Sequence, residues 1–131
     1  MVKVIGINFD VTAIPHEHHR YPTVGDYTTD GFDNVHFRVS ILGNWRFELL
    51  VAVHEIVEKY LTMEAGVKEE DIDAFDIIYE ANRKPGDDSE PGDHLGAPYY
   101  KQHQTATRVE RFLAGELGVD WDVYEKVINS L

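Results

Sequence analysis

The stretch "LLVAVHEIVEKYL", residues 49–61, decides this fold. Its apolar residues recur at the spacing of an amphipathic helix, and the pattern predicts a helix from about Trp45 to Met63. His54 and Glu58 are four positions apart, so their side chains share one face of that helix. Val51 continues the same row toward the N-terminus. Because the row starts with apolar residues, we expect its charged end to be covered by other parts of the protein.

A second helical segment, about Tyr99 to Leu117, carries charged residues inside its apolar stripe. His103 and Glu110 fall on the same arc of the helix as Ala106 and Ala114. Burying an unpaired imidazolium or carboxylate costs free energy, so these groups need partners. The small alanine side chains would let another helix come close. We therefore expect the charged groups of the two helices to meet in the interior.

The residues that converge have the chemistry of a metal site. The chain has no cysteine, so a metal must be held by nitrogen and oxygen. His54 and Glu58 can chelate one ion from a single helix, and His103 would add a third ligand. Two histidines and one carboxylate leave positions open for water. The sequence predicts a divalent metal, with zinc as the first choice and manganese or iron as alternatives.

Three further acidic residues have predicted roles at this site. Glu55 lies beside a ligand on the helix, where it could take a proton from water as the general base. Glu110 lies two turns beyond His103, roughly 10 Å along the axis, so it is not expected to bind the same ion. It would instead orient a histidine ligand or hold a second ion, and Asp76 has the same two options.

The N-terminal part of the chain is predicted to contribute strands. Residues 2–11 and 34–41 alternate apolar and polar side chains, which is typical of half-buried strands. The simplest pairing of these two strands is an antiparallel hairpin. The segment between them, residues 15–33, is rich in turn formers and is interpreted as a long loop. "HEHH" at 16–19 is interpreted as part of that surface loop, with metal binding there as an alternative.

The rest of the chain is predicted to be helical. One further helix starts near Glu70 and stops before Pro85, and a short last helix is capped by Asp120. Strands followed by helices indicate the α+β class. The prediction is a single domain, residues 1–131, with an antiparallel β-hairpin followed by three to four helices.

Charge and hydropathy exclude some classes of function. Twelve basic and 24 acidic residues give a net charge of -12, which disfavours nucleic-acid binding through a basic face. No apolar run approaches the roughly 18 residues of a membrane span. The N-terminus lacks the pattern of a signal peptide, so a cytoplasmic protein is expected. The substrate and the oligomeric state are not indicated.

The segment "VHFRVSI" followed by "NWRFELLVAVHEIVEKYL" resembles the strand-then-helix entry of zincin-type metallohydrolases. The resemblance covers roughly residues 34–62. It implies a zincin-like fold and a metal-dependent hydrolase, for example a peptidase, with His54 as a ligand and Glu55 as the base. The zincin motif HExxH here reads HExxE, with Glu58 where the second histidine would stand.

Two further resemblances imply other functions. The pattern "LLVAVHEIVE", "FDIIYE" and "APYYKQHQTATRVERFLAGELGVDW" covers most of residues 40–124. It resembles a small family of uncharacterised phage and bacterial proteins, which implies no known activity. The acidic pairs Glu55 and Glu58, then Asp73 and Asp76, resemble those of all-α nucleotide pyrophosphohydrolases, which use magnesium.

Three hypotheses follow from these patterns. The first is a small metal-dependent hydrolase. The second is a non-catalytic binding or structural protein, in which the same side chains form a buried hydrogen-bonded network or hold a structural ion. The third is a magnesium-dependent nucleotide pyrophosphohydrolase.

Overall fold

The computed structural model describes residues 6–131, which form a three-stranded sheet and four α-helices. The strands and helices are β1 Phe9–Ile14, β2 Gly25–Thr29, β3 Val35–Ser40, α1 Trp45–Glu64, α2 Glu69–Ala81, α3 Tyr100–Glu116 and α4 Trp121–Asn129. Two short 3-10 turns cover His16–His18 and Pro91–Asp93. The α+β class predicted from the sequence is confirmed.

The sheet is mixed, with β3 between β1 and β2. β1 runs parallel to β3, and β2 runs antiparallel to it. The predicted antiparallel pairing of residues 2–11 with 34–41 is therefore wrong, and the hairpin is made by β2 and β3 instead. Residues 15–24 span two inter-strand spacings, roughly 10 Å, and carry the chain past the position of β3 to the far edge. After β2 the chain turns back into β3, which therefore runs parallel to β1. Residues 2–5 of the predicted first strand lie outside the described residues.

Strand β2 lies in the segment that was predicted to be a loop. Its sequence, "GDYTT", combines turn-forming residues with a single large apolar side chain, so no alternating pattern marks it. The strand is fixed by pairing with β3, where Tyr27 lies opposite Phe37. Both rings are buried against α1, next to Ile56 and Tyr60.

The helices begin and end close to their predicted positions. The Asn44 side chain accepts a hydrogen bond from the backbone N–H of Arg46 and caps α1. Asp120 caps α4 by accepting from the backbone N–H of Val123. Gly66, with a φ of 75°, ends α1 in the left-handed region that glycine tolerates.

The main core lies between the sheet, α1, α3 and α4. Its buried members are Val39, Leu50, Val51, Ala52, Ala114 and Tyr124. Ala106 and Ala114 on α3 are fully covered, so the two long helices pack closely, as their small residues predicted. No helix within residues 6–131 is long and apolar enough to cross a membrane.

Candidate metal centre

His54 and Glu58 of α1 and His103 of α3 converge in the interior. His54 Nε2 lies 3.1 Å from Glu58 Oε2 and 3.1 Å from His103 Nδ1. The third edge, from His103 Nδ1 to Glu58 Oε2, measures 2.9 Å. All three side chains are buried. The structure thus brings together the three residues that were predicted to be metal ligands, and we call these three atoms the inner triangle.

The inner triangle has the dimensions of a divalent metal site. Bonds from zinc to histidine nitrogen or carboxylate oxygen measure about 2.0–2.2 Å. Because each edge is 3.1 Å or shorter, one point can lie at that distance from all three atoms. The group could therefore hold a metal ion and leave further coordination positions open. Two nitrogens and one oxygen suit zinc, manganese and iron alike, so the donors do not select among them.

Glu110 orients the first histidine. His54 Nδ1 donates to Glu110 Oε1 at 2.7 Å, which leaves Nε2 as the ring nitrogen that belongs to the inner triangle. The Tyr124 hydroxyl donates to the other oxygen of Glu110 at 2.6 Å. These contacts have the geometry expected for one of the two roles predicted for Glu110, that of orienting a histidine ligand.

Glu58 is oriented in the same way. The Tyr27 hydroxyl donates to Glu58 Oε1 at 3.2 Å, so Oε2 is the oxygen turned toward the two histidines. Sequence reasoning missed Tyr27, because it lies in a strand that no local pattern marks. Tyr124 was also missed, because the sequence pattern of α4 indicates its apolar face but not which side chain contacts Glu110.

The inner triangle favours positive charge. Burial disfavours the protonated form of His54, but hydrogen bonds to Glu110 and Glu58 outweigh it and raise its pKa well above the ordinary value. Burial also disfavours the protonated form of His103. The carboxylates of Glu58 and Glu90 outweigh this effect and raise the pKa of His103 to about 10. Burial would raise the pKa of Glu58, but hydrogen bonds from both histidines lower it. The group therefore attracts protons, which a divalent cation can replace.

Glu55 lies beside the inner triangle with a different environment. Its carboxyl packs against the backbone of Gly25, where an added Cβ would lie 2.7 Å from Oε1. Burial, followed by repulsion from Glu58, raises its pKa well above the ordinary value. Within residues 6–131 its side chain makes no hydrogen bond. When ionised, a carboxylate of this kind is a stronger base than an exposed one.

Asp76 is held by tyrosines. Its carboxyl accepts from the Tyr99 hydroxyl at 2.5 Å and from the Tyr21 hydroxyl at 3.2 Å. Burial raises its pKa to about 7, although both hydrogen bonds act in the opposite direction. Asp76 faces the same cavity as the inner triangle, and its side chain is hydrogen-bonded to the two tyrosines.

A cavity of about 740 Å³ opens over the inner triangle. Glu55, Asp76, Trp121 and the three triangle residues are part of its wall. Acidic side chains far outnumber the single arginine, Arg83, which is paired with Glu80 at 2.7 Å. The cavity gives small molecules access to the site and disfavours strongly anionic ones.

The histidines at positions 16–19 do not join the three ligand candidates, although His16 is part of the wall of the same cavity. His16 Nδ1 and His19 Nε2 contact the buried Ser40 hydroxyl at 2.8 and 3.0 Å. Within the described residues these histidines join no group with metal-ligand geometry. Their contacts fix the chain between β1 and β2 to the end of β3.

In comparisons with protein-family models, with curated proteins and with solved structures, no match to this chain was found. The resemblances to zincins, to phage and bacterial proteins and to pyrophosphohydrolases therefore stay predictions. A function has to be inferred from the chemistry of the site itself.

Proposed function

We propose that the protein is a metal-dependent hydrolase in which His54, Glu58 and His103 hold a divalent ion, with zinc as the first choice. The observation that carries the proposal is the buried inner triangle, 2.9–3.1 Å on each edge, at the wall of an open cavity. A bound ion of this kind lowers the pKa of its water ligand to about 7 and polarises a substrate carbonyl.

Glu55 supplies the proton transfer. It accepts a proton from the attacking water as the new C–O bond forms at the carbonyl carbon. The same proton passes to the leaving nitrogen or oxygen as the old bond breaks, so hydrolysis of an amide or ester balances. A peptide is one substrate that fits this reaction. Burial and the neighbouring Glu58 raise the pKa of Glu55, so its carboxylate is a stronger base than that of an exposed glutamate.

Metal content and hydrolysis, measured on the same variants, test the proposal. Wild type is expected to bind one ion at the inner triangle and to cleave members of a fluorogenic peptide or ester panel. His54→Ala should lose that ion. Glu55→Gln should keep it and lose hydrolysis by about 100-fold or more. Glu64→Gln, an exposed glutamate on the same helix, is the matched control and should resemble wild type.

Two results would contradict the proposal. One is a wild-type preparation that binds no zinc, manganese or iron and shows no thermal shift with any of them. The other is a Glu55→Gln variant that hydrolyses the panel as fast as wild type does.

A non-catalytic role for the same residues is supported by one observation. His54 lies between Glu110 and Glu58, and this arrangement satisfies both ring nitrogens when the ring is protonated. Such a network can stabilise a core without metal. In that case His54→Ala destabilises the fold, while Glu55→Gln changes neither stability nor any ion content.

The pyrophosphohydrolase hypothesis has less support. Its second acidic pair is divided, because Asp73 is bonded to Arg20 at 3.2 Å and Asp76 to tyrosines. The acidic wall of the cavity also disfavours a triphosphate. Incubation with magnesium and the common nucleoside triphosphates, with pyrophosphate release as the readout, is expected to give no turnover.

A further inference from the structure

A pair of carboxylates lies on the far side of the His103 ring from the inner triangle. Glu90 Oε2 lies 3.0 Å and Asp93 Oδ1 3.2 Å from His103 Nε2. The ring itself is buried, with 6% of the side chain exposed. In spite of these distances, Nε2 makes no hydrogen bond of acceptable geometry to any group within residues 6–131. A buried ring nitrogen without a hydrogen-bond partner is uncommon and calls for an explanation.

The turn Pro91–Asp93 holds the ring in this position. A Cβ on Gly92 would lie 2.3 Å from Cγ of His103, so the glycine backbone lies directly against the imidazole. The opposite nitrogen, Nδ1, is fixed in the inner triangle. His103 therefore cannot rotate to give Nε2 a better hydrogen bond, and the two carboxylates come close to Nε2 without lying along its N–H direction.

That arrangement fits a shared cation better than it fits a hydrogen bond. A hydrogen-bond acceptor lies near the N–H axis, and the bond weakens steeply away from it. Ligands of one ion are instead spread around it at roughly 90–110°, so the other ligands lie off the axis of each donor. Two ligands at about 2.1 Å from one ion are then roughly 3 Å apart. The separations of 3.0 and 3.2 Å agree with this value.

We propose that His103 Nε2, Glu90 and Asp93 form a second divalent cation site, which we call the outer site. One nitrogen and two carboxylates suit zinc or a similar ion. Glu90 and Asp93 are about half exposed at the wall of the cavity, so the remaining positions of the ion are open to water. The outer site goes beyond the proposed hydrolase, because neither carboxylate contacts the inner triangle.

Filling both sites removes both ring protons of His103: the inner ion replaces the one on Nδ1, and a second proton has to leave Nε2. In the neutral ring one nitrogen carries a proton and the other a lone pair. With Nδ1 bound to the inner ion, the proton on Nε2 passes to solvent as the outer ion binds. His103 then joins the two cations through its two nitrogens, and their positive charges stabilise the deprotonated ring.

Zinc stoichiometry on chelator-treated full-length protein tests the outer site. Equilibrium dialysis against zinc chloride with metal analysis is expected to give two tightly bound ions in wild type. Glu90→Gln combined with Asp93→Asn should give one. Asp88→Asn, an exposed acid in the same loop, is the matched control and should keep two. His54→Ala should give one, since it removes the inner ion alone.

The variants separate failure of the outer site from failure of the inner one. Wild type that binds a single ion, lost in His54→Ala and retained in the double variant, overturns the outer site and leaves the hydrolase proposal intact. A double variant with as many ions as wild type also overturns it. Glu90 and Asp93 are about half exposed and their replacements have the same shape, so circular dichroism is expected to show the double variant folded.

Discussion

His54 is held by carboxylates on both of its ring nitrogens, and the two contacts have different consequences. The hydrogen bond to Glu110 fixes the tautomer and the ring plane, because Nδ1 must carry the proton that Glu110 accepts. The other ring nitrogen, Nε2, then has its lone pair available for a metal ion at the inner triangle. A metal ligand that is already oriented loses little side-chain entropy when the ion binds.

Glu110→Gln is expected to weaken metal binding by about 10–100-fold. The neutral amide is a weaker acceptor than the carboxylate, so it holds the proton on Nδ1 less firmly and makes Nε2 a poorer donor to the metal. The dissociation constant can be measured by competition with a chromophoric chelator.

Glu116→Gln, an exposed position on the same helix, is the control for Glu110→Gln and should bind as wild type does. Equal metal affinities of wild type and the Glu110 variant would show that Glu110 only accepts hydrogen bonds from buried donors and does not assist metal binding.

Gly92→Ala is expected to disturb the ring of His103 directly. The new Cβ would lie 2.3 Å from Cγ of the ring, so either the ring or the turn has to move. We expect a loss of stability of about 1–3 kcal/mol by urea unfolding, together with weaker zinc binding. Gly115→Ala on α3 is the control, because its Cβ meets no atom within 4 Å. A Gly92 variant with the metal affinity of wild type would mean that the contact is not needed to position the ligand.

The helix periodicity was enough to find the inner triangle and Glu110, because each of these side chains shares a face with apolar residues on a long helix. Glu90, Asp93 and Gly92 could not be found in this way. They lie in a polar turn without periodicity, and their distance from His103 depends on how that turn packs against α3. The sequence shows their acidity but not their neighbour.

Strands were predicted less well than helices, and β2 explains why. A helix makes its hydrogen bonds within one segment, so its pattern is local. The hydrogen bonds of β2 go to β3, and residues 30–34 form the tight turn that joins the two strands. The order of strands also depends on the path of residues 15–24, which no local pattern encodes. The parallel pairing of β1 with β3 follows from that path.

A titratable side chain, His36, connects the strands of the sheet. His36 on β3 contacts Asp10 on β1 at 2.7 Å and Asp30, at the end of β2, at 2.9 Å. The hydrogen bond to Asp30, followed by that to Asp10, raises the pKa of His36 above its ordinary value. The protonated ring therefore connects all three strands.

His36→Gln is expected to remove stability that depends on pH. Because the folded-state pKa is the higher one, the stabilisation is fully present below the unfolded value of about 6.5 and is lost as the pH rises through the folded-state value. Urea unfolding at about pH 5.5 should show a larger difference between wild type and variant than unfolding at about pH 9. A difference of the same size at both pH values would mean that the charge on His36 contributes nothing.

At the scale of the whole molecule, the acidic excess is also present at the site. The net charge is -12, and the cavity wall is acidic as well. One or two bound cations would offset part of that charge at the centre, while the rim around Asp87 and Asp88 stays negative. Substrates that carry positive charge are then attracted to the cavity, and anionic ones are repelled.

Paired peptides that differ only in flanking charge can measure this attraction, provided that the chain is the hydrolase proposed above. A peptide with lysines beside the cleaved bond is expected to have a higher kcat/KM than the same peptide with glutamates. The advantage should be about 10-fold or more at low salt and should shrink as sodium chloride approaches about 0.5 M, because screening shortens the range of the field. An Asp87→Asn and Asp88→Asn double variant should reduce the advantage without changing metal content, since neither side chain contacts the inner triangle. Preference for the acidic peptide, or a basic preference that salt leaves unchanged, would show that local contacts, and not the acidic field of the molecule, select the substrate.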